Sequence, residues 1–297
     1  MTLLYIGGAG RSGSTLLDRL LGMMPGVTAL GEIRFLWAYL ARGGVRCGCG
    51  VALPACAFWQ GVLERWQADA SLSVRAMAEW TQQWDRTRHG HRFRSRHSAD
   101  RPYIEHWGRL YRVLDELTGS DVLVDASKIP THLCVLQRAA VEDIRVLHLV
   151  RDPRAVAFSW GWRVKPEPAV MQAGATMPRR HPLAALAAWI VENEAIRRMH
   201  RRYPYARLRY EDFTNAPQAH LHTALQNLGL EVTLDGASMN AWPARPTHSV
   251  GGNPIRFTRS PQPIRTDTSW QSALPRAWYW TLTGLGWLYL RRYGYRT

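Results

Sequence analysis

The chain has 297 residues, 46% of them hydrophobic, and a formal net charge of +15. That length fits one large α/β domain over residues 1–297 with helical and loop insertions, and leaves little room for two full domains. No apolar run reaches the roughly 18 residues a spanning helix needs, and the first strand pattern starts at Thr2 with no leader before it, so a cytoplasmic protein is expected. An apolar strand over 2–7 leads through a Gly/Ser-rich turn into a helix over 14–24, with Leu16, Leu17, Leu20 and Leu21 on its apolar face. A short strand at 27–30 and a helix at 32–41 precede a Gly/Cys/Pro loop at 43–56. Helical periodicity returns over 57–86 and 101–118, around a basic, His-rich stretch at 86–101 read as a solvated loop. Residues 121–125 form a short buried strand, 130–140 a helix with Pro130 in its first turn, 144–150 a strand, and 153–163 a helix. Pro166, Pro168, Pro178 and Pro182 argue against regular structure over 164–182. A long helix at 183–202, a strand at 205–210, a helix at 216–228, a Pro/Gly/Arg-rich segment at 241–265 and an aromatic helix at 274–292 complete the pattern.

Strands alternating with helices imply a mostly parallel sheet covered on both faces, with ligands at the carboxyl ends of the strands. All but two of the 38 basic residues are arginine, the exceptions being Lys128 and Lys165. A GC-rich genome produces that bias; so does a preference for phosphate, sulfate or carboxylate partners. The arginines are scattered, and no nucleic-acid-binding signature accompanies them, so no nucleic-acid partner is expected.

The turn after the first strand carries the strongest chemical signal. Read from Gly8, it nearly fits the G-x-x-x-x-G-K-[ST] loop of P-loop NTPases, so the fold expected is a P-loop NTPase-like parallel sheet flanked by helices. Glycines let backbone N–H groups approach an anion, and the following helix presents its positive end. The fit fails at Ser14, which stands where the lysine that reaches the β- and γ-phosphates belongs. A cradle without that lysine suits a nucleotide that has no triphosphate there.

A second anion site is legible at Val150-Arg151-Asp152-Pro153-Arg154-Ala155. Asp152 is a good N-cap and Pro153 a good first helical residue, which presents Arg151 at a strand end. Ser159, about two turns beyond Asp152, returns to the same helix face and can flank one anion together with Arg151. Taken alone, the segment is equally a capped helix start with surface arginines.

Together the two segments resemble the sulfotransferases that use 3′-phosphoadenosine 5′-phosphosulfate (PAPS). In that family an R-S-G-[ST]-T-L turn binds the 5′-phosphosulfate, here Arg11-Ser12-Gly13-Ser14-Thr15-Leu16, and a later V-R-D-P-R-A…S binds the 3′-phosphate. Weaker likenesses to bacterial members are Cys47-Gly48-Cys49-Gly50 with Cys56 and Phe58-Trp59, Val124 to Lys128, Gly251 to Arg256, and Tyr293-Gly294-Tyr295. The resemblance implies PAPS as donor and a hydroxyl-bearing acceptor: saccharide, lipid, tyrosine or small metabolite. It implies binding by Gly10, Arg11, Ser12, Gly13, Ser14, Thr15, Arg151 and Ser159, with Arg256 closing over the nucleotide from a late basic loop. Arg256 is equally well read as one more surface arginine.

The chemistry requires a base for the acceptor hydroxyl and a group to stabilise the leaving phosphate oxygen. Glu32, in Leu30-Gly31-Glu32, is the first candidate base; tyrosylprotein sulfotransferases have a similar Gly-Glu segment whose glutamate is the base. The plain alternative is a first-turn carboxylate. His132 is the rival, because Lys128-Ile129-Pro130-Thr131-His132 resembles the Lys-Thr-His segment of cytosolic sulfotransferases with two extra residues. Lys128 is the candidate for the leaving oxygen, or else pairs with Asp125.

No metal is expected in the reaction. Cys47, Cys49 and Cys56 offer three zinc legs, but no fourth ligand is near in sequence, so loop packing or a disulfide is the expectation. The final helix (Trp278, Tyr279, Trp280, Leu285, Trp287, Leu288) reads as a core stripe, or alternatively as a peripheral membrane or lipid contact. The competing functions are a P-loop kinase or NTPase, disfavoured by Ser14, and a non-enzymatic polyanion-binding protein.

Overall fold

A computed structural model describes residues 1–68, 71–84, 101–164, 166–167, 170–172, 174–231, 245–260 and 263–297. The described elements run β1 (Thr2–Gly7), α1 (Ser14–Leu21), β2 (Val27–Ala29), α2 (Leu36–Arg42), α3 (Ala57–Gln67), α4 (Val74–Trp84), α5 (Arg101–Thr118) and β3 (Val122–Lys128). They continue with α6 (Pro130–Arg138), β4 (Asp143–Val150), α7 (Pro153–Gly161), α8 (Pro182–Arg197), β5 (Tyr205–Arg209), α9 (Tyr210–Asn215), α10 (Pro217–Asn227), α11 (Trp270–Ala273) and α12 (Arg276–Arg292).

The five strands form one parallel sheet in the order β2-β3-β1-β4-β5. Alternation along β1 feeds two cores. Leu3 and Tyr5 pack with Trp37, Trp66, Trp107 and Leu110 from α2, α3 and α5 on one face. Leu4 and Ile6 pack with Leu16, Leu17, Leu20 and Leu21 of α1 and Leu221 and Leu225 of α10 on the other. The expected parallel α/β sheet, covered on both faces, is thus the observed one. Its central strand β1 lies between β3 and β4, so the loops leaving all three open at one edge of the sheet.

The structure departs from the sequence reading in a few places. The helical pattern over 57–86 is two helices. Between them the imidazole Nε2 of His106 accepts from the Leu72 amide (3.1 Å), and Ser73 Oγ accepts from the Ala76 amide (3.2 Å), which restarts the helix at α4. β3 runs past Asp125 to Lys128, because Ala126, Ser127 and Lys128 are buried in the sheet despite ending the apolar run. The core reading of the α12 stripe holds for Trp278 and Tyr279, which pack against a buried cluster, and is corrected for Trp280, Leu285, Trp287 and Leu288, which are exposed, while Leu282, Gly286 and Leu290 face inward. The disulfide reading is corrected too, since Cys47, Cys49, Cys56 and Cys134 are free thiols. Most of the basic stretch over 86–101 lies outside the described residues, as do 241–244 and 261–262 of the late Pro/Gly/Arg-rich segment. Among the described residues no helix is long and apolar enough to cross a membrane.

Candidate active site

The turn between β1 and α1 wraps residues 8–13 around the edge of the sheet. The Gly8 amide donates to the Lys128 carbonyl (3.2 Å), which ties the turn to the end of β3. At Gly13, φ is +94°, and a Cβ would sit 2.5 Å from the Tyr210 ring, so only glycine fits where the turn enters the helix. Gly13 is the N-cap of α1 and offers no capping side chain, which leaves the positive helix end to Ser14 and Thr15 at the cavity wall. Arg11 holds a left-handed φ of 68°, costly for a residue with a Cβ. It stacks over the Trp160 ring (4.5 Å), which Arg180 faces at 4.4 Å.

Arg151 emerges from the end of β4, and Asp152 caps α7 by accepting from the Arg154 amide (2.8 Å), as the sequence led us to expect. The Arg151 guanidinium donates to the Arg11 carbonyl (3.2 Å) and lies over the Tyr210 ring (4.4 Å). One strand-end motif therefore touches the other. Arg151 Nη2 also donates to Asp267 Oδ2 (3.1 Å), and Arg163 Nη1 to the same oxygen (2.8 Å). Burial works to raise the Asp267 carboxyl, but bonds from Ser269, Arg163 and Arg151 outweigh it and hold the group well below the usual carboxylate range.

Glu32 follows β2, where its amide donates to the Val250 carbonyl (2.6 Å). Its Oε1 lies 2.6 Å from Lys128 Nζ. Lys128 is 6% exposed, and its φ of 73° is again left-handed for a residue with a Cβ. Burial holds the Lys128 ammonium below its ordinary value, and the Glu32 carboxylate offsets that only in part. The turn residue Gly31 donates to Asp18 Oδ1 (3.1 Å), and burial pushes that carboxyl up to about 7.

These groups line one cavity of ≈ 470 Å³. Gly10, Arg11, Gly13, Ser14, Thr15, Glu32, Lys128, Arg151 and Ser159 all contribute to its wall. Ser12 lies just beneath the turn, 1% exposed. The buried Ser12 Oγ and Arg151 Nε have no hydrogen-bond partner among the described residues, which fits a turn and a strand end that await an anion. The wall carries seven cationic side chains against four carboxylates.

Besides Ser12, two expected residues are not part of that wall. His132 is fully buried in α6, its Nε2 3.3 Å from Asp125 Oδ2 and its ring edge-on to Trp107 at 4.7 Å. Asp125 also accepts from the Tyr111 hydroxyl (2.7 Å), so this histidine sits in a core network. Arg256, 1% exposed, donates to the Gly251 carbonyl and, at 3.1 Å, to the Arg46 carbonyl, bracing the late loop from behind. That loop still reaches the cavity through Gly252, Asn253 and Ile255, and the Asn253 amide donates to Thr15 Oγ1 (2.9 Å).

Sequence reasoning missed Glu192, Arg163, Tyr210 and Asp267, all on the wall. The Glu192 carboxyl accepts from the Gly10 amide, and burial raises it. A second cavity of ≈ 660 Å³ shares Arg34 and Phe35 with the first and is also lined by Arg42, Arg75 and Glu79.

Comparison with known proteins bears on the family and the fold. A family model described as "Sulfotransferase family" matches residues 4–234. The fold is similar to a sulfotransferase domain from the Synechococcus PCC 7002 olefin synthase (TM-score 0.52, 20% identity, covering 100% of this chain and 96% of that one). It is also similar to a sulfotransferase domain from the curacin biosynthetic pathway (TM-score 0.50, 17% identity, 99% and 98%). A third similar structure is the sulfotransferase STF9 from Mycobacterium avium (TM-score 0.51, 13% identity, 99% and 77%). Among curated proteins, none matches.

Proposed function

The chain belongs to the sulfotransferase family, and we propose that it moves the sulfuryl group of PAPS to a hydroxyl of an acceptor by in-line displacement. The observation that carries this reading is the contact of Arg151 with the Arg11 carbonyl (3.2 Å), which joins two anion-binding turns at one cavity. A nucleotide with two separate anionic ends needs such a pair; a nucleoside triphosphate does not. PAPS, when bound, supplies the activated sulfuryl group.

The roles of the chain's own residues follow. The amides of the 8–15 turn and the α1 N-terminus bind the 5′ anionic end, with Arg11 beside them. Arg151 and Ser159 bind the 3′-phosphate with a fork and a hydroxyl. Glu32 takes the proton of the acceptor hydroxyl, and Lys128, paired with Glu32 at 2.6 Å, faces charge developing on the leaving oxygen. His132, enclosed by Trp107 and Asp125, is the less favoured base on this reading. The acceptor enters from the neighbouring cavity past Arg34 and Phe35, which brings its hydroxyl toward Glu32.

The test is transfer of label from ³⁵S-labelled PAPS to components of a host extract in magnesium-free buffer, with 3′,5′-ADP formed in equal amount. Labelled acceptor is the expected result. ATP hydrolysis in its place would favour a P-loop NTPase. Binding of heparin or DNA in preference to 3′,5′-ADP would favour a polyanion-binding protein.

A further inference from the structure

The loop over 43–56 and the segment over 245–250 meet at a cluster that the transfer chemistry does not use. The Sγ atoms of Cys47, Cys49 and Cys56 and a ring nitrogen of His248 all lie within 4.8 Å of one another. His248 is 192 residues beyond Cys56. We propose that these four side chains bind one structural Zn²⁺.

The distances fit a single tetrahedral ion. Zn–S and Zn–N bonds of about 2.3 and 2.0–2.1 Å at tetrahedral angles put sulfur atoms about 3.8 Å apart, and sulfur and nitrogen about 3.6 Å apart. Cys49 and Cys56 Sγ are 3.8 Å apart. His248 Nδ1 is 3.2 Å from Cys56 Sγ and 3.9 Å from Cys47 Sγ. Three soft sulfur donors and an imidazole in this arrangement select zinc over the hard cations. The donors are too close together to enclose an iron–sulfur cluster.

The surroundings are built as the supports of a metal site are. The His248 ring stacks on Phe58 (4.9 Å between centroids, 11° between planes), which sets its orientation. Its carbonyl accepts from the Trp59 indole (2.8 Å). Backbone amides of Cys49 and Trp59 donate to the sulfurs of Cys47 and Cys56. The Gly48 amide donates to the Ser249 carbonyl (3.0 Å), and a Cβ on Gly48 would meet Ser249 Oγ at 2.5 Å, so glycine permits the two segments to close. Three thiolates and a divalent cation leave one negative charge, which Arg46 and Arg259 face from the Gly50 and Gly48 carbonyls (3.0 and 2.9 Å).

The ion takes no part in group transfer; it fastens a loop. Val250, two residues beyond His248, accepts from the Glu32 amide and donates to the Leu30 carbonyl (2.8 Å). Gly252 and Asn253 then reach the cavity wall. Zinc at the cluster thus holds the late loop against the segment that carries Glu32.

Elemental analysis of the chain, purified reduced and without chelator, is expected to find one zinc per chain. Replacement by Co²⁺ is expected to give intense visible bands of a tetrahedral ion and a thiolate-to-cobalt charge-transfer band scaled to three thiolates. His248→Ala is expected to lower Co²⁺ affinity at least about 100-fold, while His248→Cys keeps a tetrahedral spectrum with a stronger thiolate band. Stripping the ion is expected to lower Tm and weaken 3′,5′-ADP binding together, and adding Zn²⁺ to restore both. A native chain that is metal-free and whose reduced form binds no Co²⁺ would overturn the proposal, as would a native disulfide between any two of the three cysteines. These readouts do not involve PAPS or an acceptor, apart from the 3′,5′-ADP arm.

Discussion

Lys128 Nζ lies 2.6 Å from Glu32 Oε1, an ion pair between the end of β3 and the third residue after β2, on the wall of the cavity that the turn between β1 and α1 also lines. A lysine so placed sets a cation beside the carboxylate, which suits proton removal on one side and charge stabilisation on the other. Glu32→Gln keeps the shape and removes the basicity. It is expected to lower kcat roughly 100-fold or more while 3′,5′-ADP affinity stays within about 2-fold. His132→Asn, the paired control, is expected to lower Tm through its buried contacts and leave kcat of the folded enzyme near normal. The reverse outcome would move the base to His132.

Lys128 holds a left-handed φ, which asparagine tolerates better than most residues. Lys128→Asn therefore preserves the turn and removes the charge. Steady-state kinetics are expected to show kcat reduced roughly 100-fold with KM for PAPS changed far less. A kcat close to that of the native chain would remove Lys128 from the chemistry.

Asp18 gives a pH dependence with a definite sign. Its carboxyl titrates at about 7 in the fold, above the ordinary 3.8, because burial penalises the charge. As pH rises from about 4 to 7, the unfolded chain releases this proton while the folded chain keeps it, so stability falls across that window. The full cost, on the order of a few kcal/mol, is present above about pH 7. Asp18→Asn keeps an acceptor for the Gly31 amide (3.1 Å). Denaturant unfolding is expected to show the variant's advantage growing from about pH 5 to about pH 8; an advantage equal at both would contradict this.

Most of the fold was legible because its signals are local. β1, β4 and the start of β3 are apolar runs of a length proper to a parallel sheet, and Asp152-Pro153 announces α7 on its own. Glu32 and Lys128 were legible as strand-end residues, but not that they pair: the alternative partner for Lys128 was Asp125, which instead serves Tyr111 and His132. Glu192 lies mid-helix in α8, and Arg163 and Asp267 lie in irregular segments, so no local pattern marks them. In a chain this rich in arginine, composition offers no contrast to single out Arg163. Arg256 misled for the same reason, its buried bracing role being set by carbonyls of Arg46 and Gly251. His248 was invisible as a partner of Cys47, Cys49 and Cys56, because only the fold brings it beside them.

On the proposed function, the two strand-end turns bind the two anionic ends of one nucleotide. Calorimetry of the native chain with 3′,5′-ADP, 5′-AMP and Mg²⁺–ATP, repeated on Arg151→Ala and Ser159→Ala, tests it most directly. Binding is expected to be tightest for 3′,5′-ADP and to need no Mg²⁺, with a loss of about 1.5–3 kcal/mol for 3′,5′-ADP in Arg151→Ala. Ser159→Ala is expected to lose less, and 5′-AMP binding to change little in either variant. Equal losses for 3′,5′-ADP and 5′-AMP, or a preference for Mg²⁺–ATP, would contradict it.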